Sequence, residues 1–327
     1  MSLKATCFLS LGIFVLSQGA FGQGINVQLE CKKQDCICGE PVLLRTVVSN
    51  VSGKDFKSQI GRYGLGPEFG FTLYVAEADG EFEDFLTPWP KKRLGISKPP
   101  LQYELFRDRH SLPGDISAGQ KADRVDMLIV PKPGEYRLKA VLKERDGTVY
   151  ASEPIRLRVL PLEEKEDSVS RLGKQDFVIS LGFSIYYYHY VERAWGDAQA
   201  AKRFKEVAPL IMEQYKDSVF REYVVYAEAM AQCRAPQSDS DVAAERGKEL
   251  AQQFIKEYPR SWLLPDIYRK LFWVYIQQKD KDGAGEVRKR ALEVAPNASV
   301  LRHVKQANVD ELLRQKEAQP GLRMNGR

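Results

Sequence analysis

An all-β half followed by an all-α half is the fold class this sequence predicts: two antiparallel sheets facing one another, then a run of helical hairpins. Three observations carry that reading. Apolar residues recur at every second position from Ile25 to about Leu160 and at every third or fourth position after residue 176, and the stops between the later stretches themselves repeat. With 327 residues, 43% of them hydrophobic and 28% charged, the chain is long enough for two globular domains. That balance suits neither a disordered segment nor a membrane bundle.

The elements begin behind a leader. Lys4 is the one charge ahead of the apolar run Cys7–Leu16, and small residues follow in SQGAFGQ. Ala20 and Gly22 hold the −3 and −1 positions of a cut before Gln23. That order predicts a cleavable signal peptide over residues 1–22, cut after Gly22. The apolar run is shorter than the roughly 20 residues a membrane span needs. A secreted or periplasmic mature chain with no integral membrane segment is therefore expected.

The first domain is expected over residues 23–161. INVQLEC alternates Ile25, Val27, Leu29 and Cys31, and PVLLRTVVSN sets Val42, Leu44, Thr46 and Val48 on one face. GFTLYVAEADG, DRVDMLIV, GEYRLKAVLKERDG and PIRLRVLP continue the pattern. Each run is short, rich in β-branched and aromatic residues, and bounded by Gly, Pro or Asp-Gly turns. Alternation buries one face of each strand, which two packed sheets satisfy. Residues 81–113, with TPWPKKRLGISKPP, break the alternation and read as a long loop, a common home of function.

Export alters the cysteine arithmetic. Once Cys7 leaves with the leader, Cys31, Cys36, Cys38 and Cys233 remain in a compartment where disulfides persist. A zinc site at CKKQDCICGEPV lacks a fourth ligand nearby. A Cys-x-Cys redox pair belongs at a helix N-terminus, whereas this one enters a strand. A disulfide within the cluster is expected, with Cys31–Cys36 and Cys31–Cys38 both open and Cys233 apart. No metal site and no cofactor are expected.

LEEKEDSVSRLGKQ, residues 162–175, is polar and charged and reads as the linker. Beyond it the period changes. Phe177, Leu181, Ile185, Tyr188 and Trp195, then Ala201, Phe204, Ala208, Ile211 and Tyr215, mark amphipathic helices. Short stops carrying Asp or Ser separate about seven helices over residues 176–316, and 317–327 is expected to be a flexible tail. The stops EQYKDS, KEYPRS and EVAPNA place Tyr215, Tyr258 and Ala295 in one slot, 43 residues apart (215 to 258) and then 37 (258 to 295). DKDGAGE at 280–286 has the outline of a calcium loop. Its twelfth position is Lys289 and its first Gln278, so it reads as a turn with a capping Asp.

Two family resemblances sharpen this picture. CGEPVLLRTVVSNVSG is similar to the second strand of bacterial immunoglobulin-like modules, ISAGQKADRVDMLIVPKPGEYRLKAVL to their later part, and ASEPIRLRVLP to their closing strand. The resemblance implies an immunoglobulin-like β-sandwich, with Tyr136 as a corner residue whose hydroxyl ties the Pro133-Gly134 turn to the backbone. The antibody-type cysteine pair has no counterpart, since neither Leu44 and its neighbours nor Leu138 is Cys. The repeated stops resemble tetratricopeptide-type repeats, closest in RKRALEVAPNAS, with Ala291 and Pro296 at the small-residue and helix-stop positions. The Trp-x-x-Leu-Gly part of that motif is missing. This second resemblance implies stacked helical hairpins whose concave face grips peptides or protein segments.

Recognisable catalytic patterns do not occur. His110, His189 and His303 are scattered, and there is no H-E-x-x-H pair, Gly-x-Ser-x-Gly elbow or Walker loop. The formal charge of +5 is spread along the chain without a basic run interleaved with aromatics, which argues against nucleic acid. The expectation is an exported, non-catalytic binding or adaptor protein that docks a protein or peptide partner at the cell envelope. Tyr226, Tyr268 and Arg269 are its expected contacts on the inner face of the repeats. The other reading is a carbohydrate-binding module or glycan hydrolase built on the 81–90 loop, where Glu81, Glu83 and Asp84 meet Trp89. The sequons Asn50-Val-Ser52 and Asn297-Ala-Ser299 matter only in a host that glycosylates exported proteins.

Overall fold

The computed structural model describes residues 24–57, 70–84, 104–106, 115–130, 132–143, 148–162, 181–182, 185, 198–233 and 240–318. The expected leader, Trp89 with most of the 81–113 stretch, nearly all of the expected linker and the tail from 319 lie outside the described residues.

The alternating runs of the first half form two main sheets. One, sheet A, runs in the order β1 (Ile25–Cys31), β3 (Pro41–Asn50), β9 (Lys121–Ile129) and β7 (Glu104–Phe106), antiparallel throughout. The other, sheet B, runs β2 (Asp35–Ile37), β12 (Ile155–Leu160), β10 (Gly134–Lys143), β5 (Gly70–Glu77) and β6 (Glu83–Asp84), with β11 (Val149–Ala151) also on β10. Only β2 and β12 pair in parallel among them. A small pair, β4 (Phe56–Lys57) and β8 (Asp115–Ile116), stands apart. Between the sheets Val27, Leu29, Val42, Leu44 and Val48 meet Leu73, Val75, Leu138, Ala140, Leu157 and Val159, all buried.

Two polar side chains pin this core. The Tyr136 hydroxyl donates to the Lys132 carbonyl at 3.0 Å, the corner contact its sequence context predicts, and burial pushes its pKa up to about 12. Asn50 is buried, and its amide nitrogen donates to the carbonyls of Lys54 and Ile116 at 2.9 and 2.7 Å. The first sequon is therefore taken up by the fold's own hydrogen bonds.

The expectation that every strand buries one face fails at the centre of sheet A. Val42, Leu44 and Val48 of β3 face sheet B, but Leu43, with Met127 and Ile129 of β9, faces the other way. These join Ile37, Leu181, Ile185, Phe204, Phe220, Tyr223 and Val224 in a second core. Sheet A is thus a middle layer between sheet B and the helices. That is why PVLLRTVVSN is a near-continuous apolar run: a strand covered on both faces needs no polar side.

The helices are α1 (Ala198–Glu213), α2 (Arg221–Gln232), α3 (Ser240–Glu257), α4 (Leu264–Gln277) and α5 (Lys281–Val294), then a 3-10 turn (Ser299–Leu301), α6 (Arg302–Gln306) and α7 (Val309–Ala318). Their apolar stripes face one another: Tyr226 of α2 lies against Phe254 of α3 with ring centroids 6.0 Å apart, and Leu271, Phe272, Ala284 and Ala291 bury between α4 and α5. The repeated stops recur as geometry. The carbonyls of Tyr215, Tyr258 and Ala295 accept from the amides of Ser218, Ser261 and Ala298 at 3.1, 3.0 and 3.2 Å. The carbonyls of those three residues accept in turn from Arg221, Leu264 and Leu301 at 3.1, 3.3 and 3.0 Å. One turn is built three times from the slot the sequence marks. Asp280 caps α5 by accepting from the Gly283 amide at 2.8 Å, the capping role expected of it, while the rest of DKDGAGE forms the start of the helix and not a turn.

Candidate functional site

The third of these turns meets the open edge of sheet A. β3 pairs along all of β9, but β7 covers only Met127 to Ile129 on the other side. The Asp123 amide, pointing away from β3, donates to the Asn297 carbonyl at 3.0 Å, and the Asp123 carbonyl accepts from Ser299 Oγ at 2.6 Å. The edge is sealed there by the helical half of the chain. In an antiparallel ladder the amide and carbonyl of Val125 point the same way as those of Asp123. Among the described residues no hydrogen bond engages them. Among the described residues, one unengaged backbone position thus lies between two engaged ones.

Val125 lines a groove of about 280 Å³. Its walls come from the second and third repeated stops: Pro259, Arg260 and Trp262 from one, Val294, Pro296 and Ala298 from the other. Pro265 and Asp266 at the start of α4, with Arg45 of β3, complete it. Val294 is 51% exposed, unusual for a large apolar side chain here. Arg260 is exposed and makes no ion pair among the described residues.

The other charges around the groove are committed. Arg45 holds Asp123 through Nε at 3.0 Å and reaches Glu30 at 3.6 Å, while Arg269 holds Asp266 at 2.8 Å. Ser261 Oγ accepts from the Leu263 amide at 3.1 Å and donates to Glu222 at 2.6 Å. Glu222 also takes both hydrogen bonds of Lys32 Nζ, at 2.7 and 2.8 Å. The wall at Pro259–Trp262 is thereby tied to the β1–β2 turn. A satisfied, part-buried network of this kind rigidifies what it touches.

The residues expected to dock a partner are placed differently. Tyr226 and Tyr268 are buried, not displayed, and the Tyr226 hydroxyl donates to Asp266 at 3.3 Å. Arg269 is 8% exposed and spends its guanidinium on the same carboxylate. Helices covered on two sides leave these stripes no free face. They lie behind the groove, and the lining residues that the sequence reading did not single out are Val125, Arg260 and Trp262. YPRSW could have shown two of them, as a repeated stop rich in ring and charge. Val125 had no signal, because its chemistry is backbone. Trp89 lies outside the described residues.

Cys31, Cys36, Cys38 and Cys233 carry no disulfide among the described residues. Cys31 ends a strand of sheet A and its Sγ donates to the Lys33 carbonyl at 2.6 Å, while Cys36 belongs to β2 of sheet B. Burial pushes the thiols of Cys31, Cys36 and Cys233 up, Cys233 to about 11. Among the described residues no group of three or more His, Cys, Asp or Glu is placed to hold a metal ion, and no helix is long and apolar enough to cross a membrane.

No protein-family model matches the chain. No curated protein matches it either. Among solved structures, the CARDB domain of the PF1109 protein from Pyrococcus furiosus, in complex with di-metal ions, is 10% identical with a TM-score of 0.23, over 42% of this chain and 87% of that one. The sporulation control protein Spo0M from Bacillus subtilis is 13% identical with a TM-score of 0.25, over 42% of this chain and 49% of that one. The β-glucosidase EmGH1 from Erythrobacter marinus is 8% identical with a TM-score of 0.23, over 42% and 15%. Similarity at this level assigns no family. The architecture rests on the strand registers above.

Proposed function

We propose that this chain is an exported, non-catalytic binding protein, in which an immunoglobulin-like sandwich and tetratricopeptide-like hairpins together frame a groove for an extended peptide segment of a protein partner. The observation that supports it most is the backbone position of Val125 in the groove wall, which no hydrogen bond engages among the described residues. An extended peptide supplies a matching carbonyl and amide, as in strand addition to a sheet edge. Trp262 and Val294 offer apolar contact for one side chain, and Arg260 offers a charge at the rim. The non-catalytic part follows from the groove's chemistry. Its carboxylates, Asp123 and Asp266, are held by arginines, and the hydroxyls of Ser261 and Ser299 are spent on Glu222 and on the Asp123 carbonyl.

Panning a displayed library of random linear peptides on the full chain tests this. The expected result is one enriched motif whose binding falls about tenfold or more in Arg260→Glu, an exposed position that leaves the fold intact. Enrichment that is indifferent to Arg260→Glu and to Trp262→Ala would place the binding elsewhere and defeat the proposal.

A further inference from the structure

The outer face of sheet B carries an unusual grouping of charge. Tyr136, Leu138 and Ala140 of β10 and Leu157 and Val159 of β12 point into the sandwich, so Arg137, Lys139, Arg156 and Arg158 point out. Arg137 stands directly opposite Arg156 in the register, and Lys139 opposite Tyr74. Side chains directly opposite one another lie about 5 Å apart at Cβ, and like charges there are destabilising. Among the described side chains no ion pair includes Arg137, Lys139 or Arg156. Arg137 gives one hydrogen bond to the Gly80 carbonyl at 2.7 Å, and its buried Nε has no partner. Acids appear in register at the two ends, where Glu135 and Asp35 flank Arg158 and where Asp84 stands opposite Tyr74 in the row of Lys139; the Arg137–Arg156 pair between them has none.

The cations are held upright by aromatic rings. Lys139 Nζ lies 4.2 Å from the centroid of Phe82 and 5.4 Å from that of Tyr74, and the Arg137 guanidinium lies 5.0 Å from Phe82. This cover positions two flexible side chains on a rigid surface. It also spends the face of Phe82, which leaves it unfit as a stacking platform for a base.

We infer that this face is a second docking surface, separate from the groove, and that its occupant is an acidic, extended protein segment with carboxylates at alternate positions. Arg137 and Lys139 are two residues apart on one strand, a rise of about 6.7 Å. Alternate side chains of an extended peptide have that same spacing. Arg137 and Arg156, facing each other, accept one carboxylate between them and so relieve the repulsion that the empty face carries. The face commits no apolar residue to the contact, so binding is electrostatic and falls with salt.

The test is fluorescence anisotropy of the full chain with a labelled Glu-Gly alternating decapeptide at low ionic strength. The expected result is saturable binding that weakens with added salt and drops about tenfold in Arg156→Glu, with part of the loss regained by a Lys-Gly decapeptide. Arg156 is exposed and its side chain makes no hydrogen bond or ion pair among the described residues, so the variant is expected to stay folded. Arg260→Glu leaves this binding unchanged, which separates it from the groove. No binding at low salt, equal binding by Arg156→Glu, or tighter binding to a sulfated glycan or to anionic phospholipid vesicles than to the peptide would each overturn the inference.

Discussion

At Gly182 the two halves of the chain approach backbone to backbone. A Cβ there would lie 2.0 Å from the Gly39 carbonyl oxygen, an overlap that no rotamer change relieves, because the obstacle is main chain. Gly182→Ala should cost about 1–3 kcal/mol, read as a lower denaturant midpoint; an unchanged midpoint would show that the contact gives way easily. Cys233 makes a second prediction through its proton. Burial lifts its thiol from the usual 9.0 to about 11, so the fold holds that proton more tightly than the unfolded chain does. The stability it contributes is whole below pH 9.0 and is lost as pH rises toward 11. Cys233→Ala should flatten that fall by about 2 kcal/mol at the upper end in urea melts at fixed pH. Parallel curves for the two proteins would rule it out. At this scale the sequence showed which residues carry potential chemistry but not where they point. The Cys31–Cys38 cluster could be placed at the ends of strands, but the sequence did not show that Cys31 and Cys36 fall in different sheets. Tyr226 and Tyr268 lie on recurring aromatic stripes, and a stripe looks the same whether it faces a neighbour or a ligand.

Elements made by local chemistry were legible. The stops at Tyr215, Tyr258 and Ala295 close by hydrogen bonds three residues apart, so their geometry repeats wherever the local sequence does. The edge of β9 is different. Its seal joins Asp123 to Ser299 across 176 residues, and no local pattern announces such a pairing. Ser299→Ala removes the hydroxyl from the Asp123 carbonyl and should cost about 1 kcal/mol. Faster hydrogen exchange at the Asp123 amide, which donates to the adjacent Asn297 carbonyl, is the sharper readout. Wild-type exchange in the variant would mean that backbone pairing alone seals the edge. The cationic face of sheet B was hidden for the same reason: Arg137, Lys139 and Arg156 come from two strands and form no run in the sequence.

Across the whole molecule, the second core decides how the parts behave. A period change near residue 176 divides the sequence into two domains, with a polar linker between them. Packing couples the two, because Leu43, Met127 and Ile129 of sheet A share one buried cluster with Phe204, Phe220 and Tyr223 of the helices. The Lys32–Glu222–Ser261 chain of hydrogen bonds and the seal at Asp123 fasten the rim of that cluster at two places. Separating the halves would expose the apolar face of sheet A to water at about 25 cal/mol per Å², so neither half has a solvated alternative to the junction. The full chain should therefore unfold in one calorimetric transition, with calorimetric and van't Hoff enthalpies in agreement. Two resolved transitions would show that the halves fold independently. The groove depends on the same coupling: β9 supplies Val125 and the repeated stops supply Trp262 and Val294. Loosening the junction by Glu222→Ala should therefore weaken groove binding although Glu222 does not line the groove, while the Arg156 face, built within one sheet, keeps its affinity.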